Sequence, residues 1–353
     1  MTSDRIRVVI VDDSLVAREM LSQILSSDPD IEVVGCAADG QAGVEMVAGL
    51  KPDLVTMDIH MPRMNGLDAV ENIMAYTPTP ILVVSSSVHG EGLGVAFEAL
   101  AAGALEVMKK PEPKDWEDLE RIGREIIRKV KILARVRVIT HIRGRKRVGS
   151  MRLPSAGFAC APASRAAVSL VAVGSSTGGP SALMLLLSGL PKDFPVPVLI
   201  AQHIADGFIP GLVEWLNGGC AISVREAGDG QGVEAGVAYF APTGRNLEFD
   251  GHRTHFTAPK PGQLYIPSAD TLFDSVAESI RGQAVGVILT GMGNDGARGL
   301  KAMHDAGART VGQDEATSTV YGMPRAAAEL GAVDQALPIN KIAGAVIAYV
   351  AGA

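Results

Sequence analysis

The sequence contains few cysteines, only three in 353 residues. Cys36, Cys160 and Cys220 are far apart and form no CxxC pair, which excludes a disulfide framework and a cysteine-based zinc site. Isolated cysteines of this kind usually behave as small hydrophobic side chains. We therefore expect all three to be isolated, buried residues.

Aromatic residues make up only 4% of the chain, which argues against a stacking surface for single-stranded nucleic acid. No apolar run reaches the roughly 20 residues that a membrane-spanning helix needs. The N-terminal segment meets the acidic pair Asp12–Asp13 before a signal-peptide core could form. These absences predict a cytoplasmic protein that does not insert into a membrane.

The formal net charge of −7 hides a strongly basic strip. Residues 121–147 carry 11 basic side chains and 1 acidic one, whereas the sequence on either side is net negative. A basic strip can bind nucleic acid, but this sequence has no basic unit of helix-turn-helix size. We therefore expect a solvated helical face that docks against an acidic domain or partner protein, and no nucleic-acid partner.

The length and the 47% apolar content fit two globular domains. In residues 1–111, five short apolar runs alternate with segments of helical periodicity, which predicts a doubly wound parallel sheet. A long helix is predicted over 115–140, a linker over 143–166, and a second α/β series with a mostly parallel sheet from 168. The predicted boundaries are 1–125 for the first domain, 126–166 for the basic helix and linker, and 167–353 for the second domain.

Polar residues follow four of the predicted strands of the first domain. Asp12 and Asp13 follow the first strand, Asp58 the third, Ser85 the fourth and Lys110 the fifth. The carboxyl ends of parallel strands meet at one edge of the sheet, where ligands bind. Carboxylates crowded at that edge need a cation, and their oxygens suit Mg²⁺. One carboxylate could accept a phosphoryl group, with Lys110 and Ser85 contacting the phosphoryl oxygens.

This set of residues resembles the phosphoacceptor pattern of two-component receiver domains, and the resemblance covers residues 4–125. It implies a flavodoxin-like fold, phosphorylation of Asp58 and a histidine kinase as the phosphoryl donor. It also implies a Mg²⁺ site whose ligands are the side chains of Asp12, Asp13 and Asp58 and the backbone carbonyl of His60. A receiver is usually a switch, so we expect the output in the rest of the chain.

In the second domain, Gly174–Gly178 has the pattern G-x-S-x-G between a predicted strand and a predicted helix. Such a turn presents a serine hydroxyl at the sheet edge, beside backbone N–H groups that can hold an oxyanion. Ser175 and Ser176 are both candidates, and the spacing favours Ser176; a phosphate site at the helix N-terminus is the alternative. His203 and Asp295 also follow predicted strands, so these strand ends offer a serine, a base and an orienting carboxylate.

A second motif competes with this interpretation. Gly291–Gly296 has the pattern G-x-G-x-x-G, and Asp314 follows the next predicted strand, about where a ribose-binding acid would lie. Against a dinucleotide site, Asp295 places a carboxylate inside the loop that would hold the pyrophosphate. Such a site also leaves Ser176 and His203 unexplained, so spacing favours the hydrolase and leaves both alternatives open.

Four segments follow the receiver-like domain in the order GSSTGGP, AQHIADGF, LTGMGNDGARG and VYGMPRAAAELGA. Together with that domain they resemble the bacterial chemotaxis protein-glutamate methylesterases, the CheB family, over nearly the whole chain. The resemblance implies hydrolysis of glutamate γ-methyl esters on methyl-accepting chemoreceptors without a cofactor for the ester step, and a protein-glutamine deamidase activity. It places the nucleophile at Ser176, the histidine at His203 and the aspartate at Asp295, with Thr177 and Met292 as oxyanion or supporting residues.

Two departures from the family pattern leave these residues unchanged. Ile266 stands where the family often has arginine before Pro-Ser, and a histidine common after the family's A-P-G turn is absent, with Asn246 nearby. A methylesterase-like regulator of a non-chemotaxis chemosensory pathway therefore remains an alternative. The combination of a switch and a catalyst predicts that the unphosphorylated receiver covers the esterase site.

Overall fold

The computed structural model describes residues 5–85, 93–138 and 167–352. The chain divides into two compact units, Met1–Leu153 and Pro154–Ala353, each with its own parallel sheet. Among the described helices, none is both long enough and apolar enough to cross a membrane. The predicted linker over 143–166 lies outside the described residues.

The described part of the first unit alternates strands with helices. The strands are β1 (Ile6–Val11), β2 (Ile31–Ala37), β3 (Leu54–Met57), β4 (Ile81–Ser85) and β5 (Glu106–Lys109). The helices are α1 (Leu15–Ser26), α2 (Gly40–Leu50), α3 (Gly66–Tyr76), α4 (Leu93–Ala101) and α5 (Trp116–Leu133). Neighbouring strands all pair in parallel, in the order β2-β1-β3-β4-β5, so the predicted doubly wound sheet is confirmed.

The central strands of this sheet are continuous apolar runs because helices cover both of its faces. Every residue of β3 and β4 is buried. The edge strand β2 is more open, and Cys36 on it is exposed, so the predicted burial of this cysteine is wrong. Cys220 is partly buried, and Cys160 lies outside the described residues.

Helix α5 continues past residue 125, where the sequence analysis places the end of the first domain. It buries Ile126, Val130 and Leu133 in the same hydrophobic cluster as Val8 of β1. Residues after 125 therefore contribute to the core of the first unit. We propose that the first domain extends to the end of α5.

The described part of the basic strip makes ion pairs within its own unit. Lys131 Nζ lies 2.8 Å from a carboxylate oxygen of Asp28 and 2.8 Å from one of Asp30. Lys129, whose side chain is largely buried, is paired with Glu106 of β5. These two lysines of α5 thus lie against acidic side chains of the connection between α1 and β2 and of β5.

The second unit is a larger α/β domain. Its strands are β6 (Leu170–Ser175), β7 (Val198–Gln202), β8 (Ser223–Glu226), β9 (Gln231–Gly232), β10 (Val237–Phe240), β11 (Asn246–Phe249), β12 (Arg253–Thr257), β13 (Ala284–Ile288), β14 (Arg309–Gln313) and β15 (Gln335–Leu337). Its helices are α6 (Gly179–Ser188), α7 (Ile209–Gly219), α8 (Ala269–Ile280), α9 (Ala297–Asp305), α10 (Met323–Glu329) and α11 (Ile339–Val350). Seven strands form a parallel sheet in the order β15-β14-β13-β6-β7-β10-β8, which confirms the second predicted α/β domain.

The structure adds elements that the sequence patterns do not reveal. The edge strands β8 and β15 are short and mostly exposed, so they lack the apolar run by which the inner strands are recognised. A small sheet of β11, β12 and β9 pairs antiparallel. Its strands mix polar and apolar residues over two to five positions, too short for a periodicity to stand out.

Candidate functional site

The predicted serine, histidine and aspartate follow three neighbouring strands of the large sheet. Strand β6 lies between β13 and β7, with Gly174 opposite Ile288 and Ser175 opposite Gln202. The chain passes from β6 to β7 on one side and later adds β13 on the other, which makes β6 a switch point of the topology. Ligands of open α/β sheets bind at the carboxyl ends of strands at such a point.

Ser176 lies on the tight turn between β6 and α6. Ser175 is fully buried, and its Oγ donates a hydrogen bond to Gln202 Oε1 at 2.6 Å, whereas Ser176 is partly exposed. Ser176 N donates to the carbonyl of Thr290 at 3.0 Å, and Thr290 Oγ1 donates to the carbonyl of Thr177 at 2.9 Å. Hydrogen bonds therefore hold the backbone of the turn at Ser176 and at Thr177. Of the two serines, Ser176 is the accessible one.

His203 and Asp295 form a hydrogen-bonded pair, with 2.8 Å between His203 Nε2 and Asp295 Oδ2. Because the ionised carboxylate can only accept, the ring proton belongs on Nε2. His203 Nδ1 is buried and has no hydrogen-bond partner among the described residues. The ring of Tyr265 stacks on the imidazole, with centroids 4.8 Å apart and planes 10° from parallel. This arrangement fixes the ring plane and leaves the Nδ1 lone pair as the proton acceptor.

The carboxylate of Asp295 lies at the N-terminus of α8. Its Oδ2 accepts from Ala269 N at 2.6 Å, and its Oδ1 accepts from Ser268 Oγ at 2.8 Å and from Asp270 N at 3.2 Å. Burial opposes ionisation, but the bonds from His203, Ser268 and Ala269 outweigh it and hold the pKa of Asp295 below its ordinary value. Asp295 is therefore ionised at neutral pH, as the stabiliser of an imidazolium must be.

Several residues around this cluster were not singled out from the sequence. Gln202 ends β7 directly before His203, so the same strand-end rule that selects the histidine could have found it. Ser268 is the N-cap of α8, a position that a serine before a helical pattern predicts. Tyr265 lies on an irregular segment, and no sequence signal places it against His203. The proposed oxyanion roles of Thr177 and Met292 stay predictions.

Gly291 lies where a side chain would collide with the turn of Ser176. A Cβ at this position would lie 2.8 Å from Ser176 Cβ and 2.2 Å from Met323 Sδ. We expect Gly291→Ala to displace Ser176 and to lower its rate of labelling by a fluorophosphonate about 10²-fold. Gly344→Ala is the control, because nothing lies within 4 Å of its added Cβ. Equal labelling rates for the two variants would contradict this prediction.

The competing dinucleotide motif takes a different form in the structure. Gly291–Gly296 connects β13 to α9, and the Asp295 carboxylate in this turn is bound to the N-terminus of α8. Asp314 is engaged in its own loop, where its Oδ1 accepts from Thr317 N at 3.0 Å and from Thr317 Oγ1 at 2.6 Å. The geometry therefore favours the hydrolase interpretation.

In the first unit, a lysine joins two buried carboxylates. Lys110 Nζ lies 2.7 Å from Asp12 Oδ2 and 2.9 Å from Asp58 Oδ2. Burial raises the pKa of Asp58 above its ordinary value, although Lys110 opposes the shift. Burial also disfavours the charged form of Lys110, but Asp12 and Asp58 outweigh it and raise the pKa of the lysine. Ser85 lies beside the cluster, since its carbonyl accepts a bond from Lys110 N at 2.9 Å.

The same edge of the first sheet presents a group of acidic oxygens. One carboxylate oxygen each from Asp12, Asp13 and Asp58 lies within 4.8 Å of the others, and Asp13 is exposed. Arg18 holds this turn by donating from Nη1 to the carbonyls of Asp12 at 2.6 Å and Asp13 at 2.9 Å. Hard oxygen ligands in this number fit Mg²⁺ together with water. The side chain of His60 is exposed, and its carbonyl as a ligand stays a prediction.

Known proteins resemble both units of the chain. The profile of the CheB methylesterase family matches residues 171–346, and that of the response regulator receiver domain matches residues 8–119. A relative from Anaeromyxobacter dehalogenans (strain 2CP-C), named protein-glutamate methylesterase/protein-glutamine glutaminase 2, is 45% identical over 96% of this chain and 95% of its own. A relative from Geobacter metallireducens, carrying the same name with the number 4, is 45% identical over 96% of both chains.

A solved structure is also similar to part of the chain. The crystal structure of the Thermotoga maritima CheB methylesterase catalytic domain is 34% identical, covers 52% of this chain and 100% of that chain, and has a TM-score of 0.49.

Proposed function

The chain belongs to the CheB family of protein-glutamate methylesterases, and from this premise we propose that it hydrolyses glutamate γ-methyl esters on methyl-accepting chemoreceptors. We also propose a protein-glutamine deamidase activity, which the names of its relatives include. The observation that carries the proposal is the hydrogen-bonded pair of His203 and Asp295, together with the partly exposed Ser176, at the ends of three neighbouring strands.

The proposed reaction is an acyl transfer to Ser176 followed by hydrolysis. Ser176 Oγ attacks the ester carbonyl while His203 Nδ1 takes its proton, and backbone N–H groups near Thr177 and Met292 hold the oxyanion. Methanol leaves with a proton from the imidazolium. A water molecule, deprotonated by His203, then hydrolyses the glutamyl–serine ester. Asp295 holds the imidazole in place and stabilises its charged form throughout.

The activity is tested by methanol release from a methylated chemoreceptor fragment, with and without acetyl phosphate and Mg²⁺. We expect release by the wild-type chain and an increase when the receiver is phosphorylated. A receptor fragment from a non-chemotaxis pathway, methylated in the same way, decides between the two pathways. No methanol from either fragment would contradict the proposed function.

We further propose that the first domain switches the second through phosphorylation of Asp58 by a chemotaxis histidine kinase in the cytoplasm. The side chains of Asp12, Asp13 and Asp58 and the carbonyl of His60 would hold Mg²⁺, which supplies positive charge to the incoming phosphoryl group. Lys110 and Ser85 would contact the phosphoryl oxygens. Phosphorylation can expose the esterase site only if the phosphoryl group makes different contacts in the covered and open states.

We expect Asp58→Asn to abolish phosphate incorporation from labelled acetyl phosphate, because the acceptor oxygen is lost. Removing Mg²⁺ with EDTA is expected to have the same effect on the wild type. The control is Asp30→Asn. Asp30 directly precedes β2 and so lies at the amino ends of the strands, whereas Asp58 lies at their carboxyl ends. Incorporation by Asp58→Asn at the wild-type rate would show that another residue is the acceptor.

A further inference from the structure

Gln202 is a buried amide between the two candidate catalytic turns of the second unit. It is the last residue of β7, directly before His203, and lies opposite Ser175 at the end of β6. Only 1% of it is exposed. An aliphatic side chain could fill this space without burying polar groups that need partners. The amide is therefore expected to contribute through its hydrogen bonds.

Both N–H groups and the oxygen of the Gln202 amide are bonded to these two turns. Oε1 accepts from Ser175 Oγ at 2.6 Å. Nε2 donates to the carbonyl of Ser176 at 2.9 Å and to the carbonyl of His203 at 2.8 Å. Because carbonyl oxygens can only accept, the amide cannot turn over without placing its own oxygen against them. One side chain therefore joins the backbone of the serine to the backbone of the histidine in a single orientation.

Gly179, the first residue of α6, also contacts the turn that contains Ser176. A Cβ at Gly179 would lie 2.1 Å from Gln202 Oε1, so only glycine allows this approach. Gly179 N also donates to the carbonyl of Ser176 at 2.7 Å. That carbonyl thus receives one bond from the helix and one from Gln202.

We propose that Gln202 is a positioning residue that sets the separation between the backbones of Ser176 and His203, the separation across which the serine proton must pass to Nδ1. The proposal rests on the proposed esterase function, since it assigns a role within that reaction. Gln202 acts through the backbone of the two reacting residues and does not itself touch the ester. Misplacing reacting groups by about 1 Å lowers the rate about 10²-fold, so its loss falls on kcat and not on KM.

The test compares Gln202→Leu with Thr254→Val. Thr254 is the control because it is fully buried in the same unit and its hydroxyl donates to the carbonyls of Gly228 and Gln231, on the small antiparallel sheet. Two rates are measured on the full chain: methanol release from the methylated receptor fragment, and labelling of Ser176 by a fluorophosphonate. Labelling needs an activated serine but no receptor. Urea unfolding midpoints measure the loss of stability.

We expect Gln202→Leu to lower kcat and the labelling rate about 10²-fold, with KM changed by less than about twofold. Thr254→Val is expected to lower the unfolding midpoint, because it removes a buried hydrogen bond, but to change the labelling rate by less than about threefold. Equal loss of labelling in the two variants, or a wild-type rate for Gln202→Leu, would overturn the proposal. If the wild type labels but releases no methanol, the proposed function fails, and the labelling rates still decide the role of Gln202.

A second variant covers the case in which Gln202→Leu does not fold. Ser175→Ala removes only the bond to Oε1 and leaves the two bonds from Nε2 to the carbonyls, so the amide is held less tightly. Its labelling rate is expected to fall about threefold to tenfold, the effect of one neutral hydrogen bond. An unchanged rate for this variant would overturn the proposal.

Discussion

Replacing Ser176 with alanine is expected to lower kcat for methanol release by about 10⁶-fold, which is the effect of removing the nucleophile of a serine hydrolase. The substitution deletes the proposed nucleophilic Oγ and leaves the backbone bonds of the turn in place, because these are made by Ser176 N and its carbonyl. The unfolding midpoint should therefore stay close to that of the wild type. Methanol release in single-turnover and steady-state assays measures the loss.

The neighbouring serine provides the control for this experiment. Ser175 has the same side chain but is fully buried, and its hydroxyl is bonded to Gln202. Ser175→Ala should retain at least about a tenth of the wild-type activity, since it loses one neutral hydrogen bond. If Ser175→Ala were inactive and Ser176→Ala active, the nucleophile would be Ser175, and the mechanism proposed here would be wrong.

The substitution Asp295→Asn is expected to lower kcat by about 10⁴-fold, although it preserves the size of the side chain. An asparagine amide can donate to His203 Nε2, which would move the ring proton to Nδ1 and remove the lone pair that accepts the serine proton. The control is Asp305→Asn, because Asp305 is an exposed residue at the end of α9. An Asp295→Asn variant within tenfold of the wild type would show that the carboxylate is not required.

Asp295→Asn should also destabilise the second unit in a way that depends on pH. The folded-state pKa of Asp295 is lowered, so its contribution is present above the ordinary carboxyl pKa of about 3.9 and is lost as pH falls through the lowered value. At neutral pH we expect a loss of about 1 to 3 kcal/mol in the free energy of unfolding, because a charged acceptor at the N-terminus of α8 is replaced by a neutral one. Urea unfolding at neutral and acidic pH should show the difference from wild type shrinking in acid.

One rule, that polar residues after apolar strands meet at the carboxyl ends of a parallel sheet, predicted which residues come together at both candidate sites. It selected Asp58 and Lys110 in the first unit, and His203 and Asp295 in the second, and the structure brings each pair into contact. It worked because the strands are buried, so a polar side chain at their end stands out against the apolar run.

Other features of the site depend on tertiary structure that no local pattern encodes. The ring nitrogen of His203 that faces the carboxylate is determined by how the N-terminus of α8 orients the side chain of Asp295. Tyr265 reaches the imidazole from an irregular segment with no periodicity. The first domain was predicted to end at residue 125, where the resemblance to receiver domains ends, and this position lies inside the continuous helix α5. Motifs do not report how far the packing of a helix continues beyond them.

The order of the strands along the chain also determines when the candidate catalytic site can form during synthesis. Ser176 follows the first strand of the second unit to be made, but Asp295 follows β13 and comes 92 residues after His203. At roughly 5 to 20 residues per second, the ribosome needs about 5 to 18 s to bridge that gap. Throughout this interval the nascent chain carries the serine and the histidine without the carboxylate. By then the receiver domain has already been synthesised in full, so the switch precedes the catalyst that it is proposed to control.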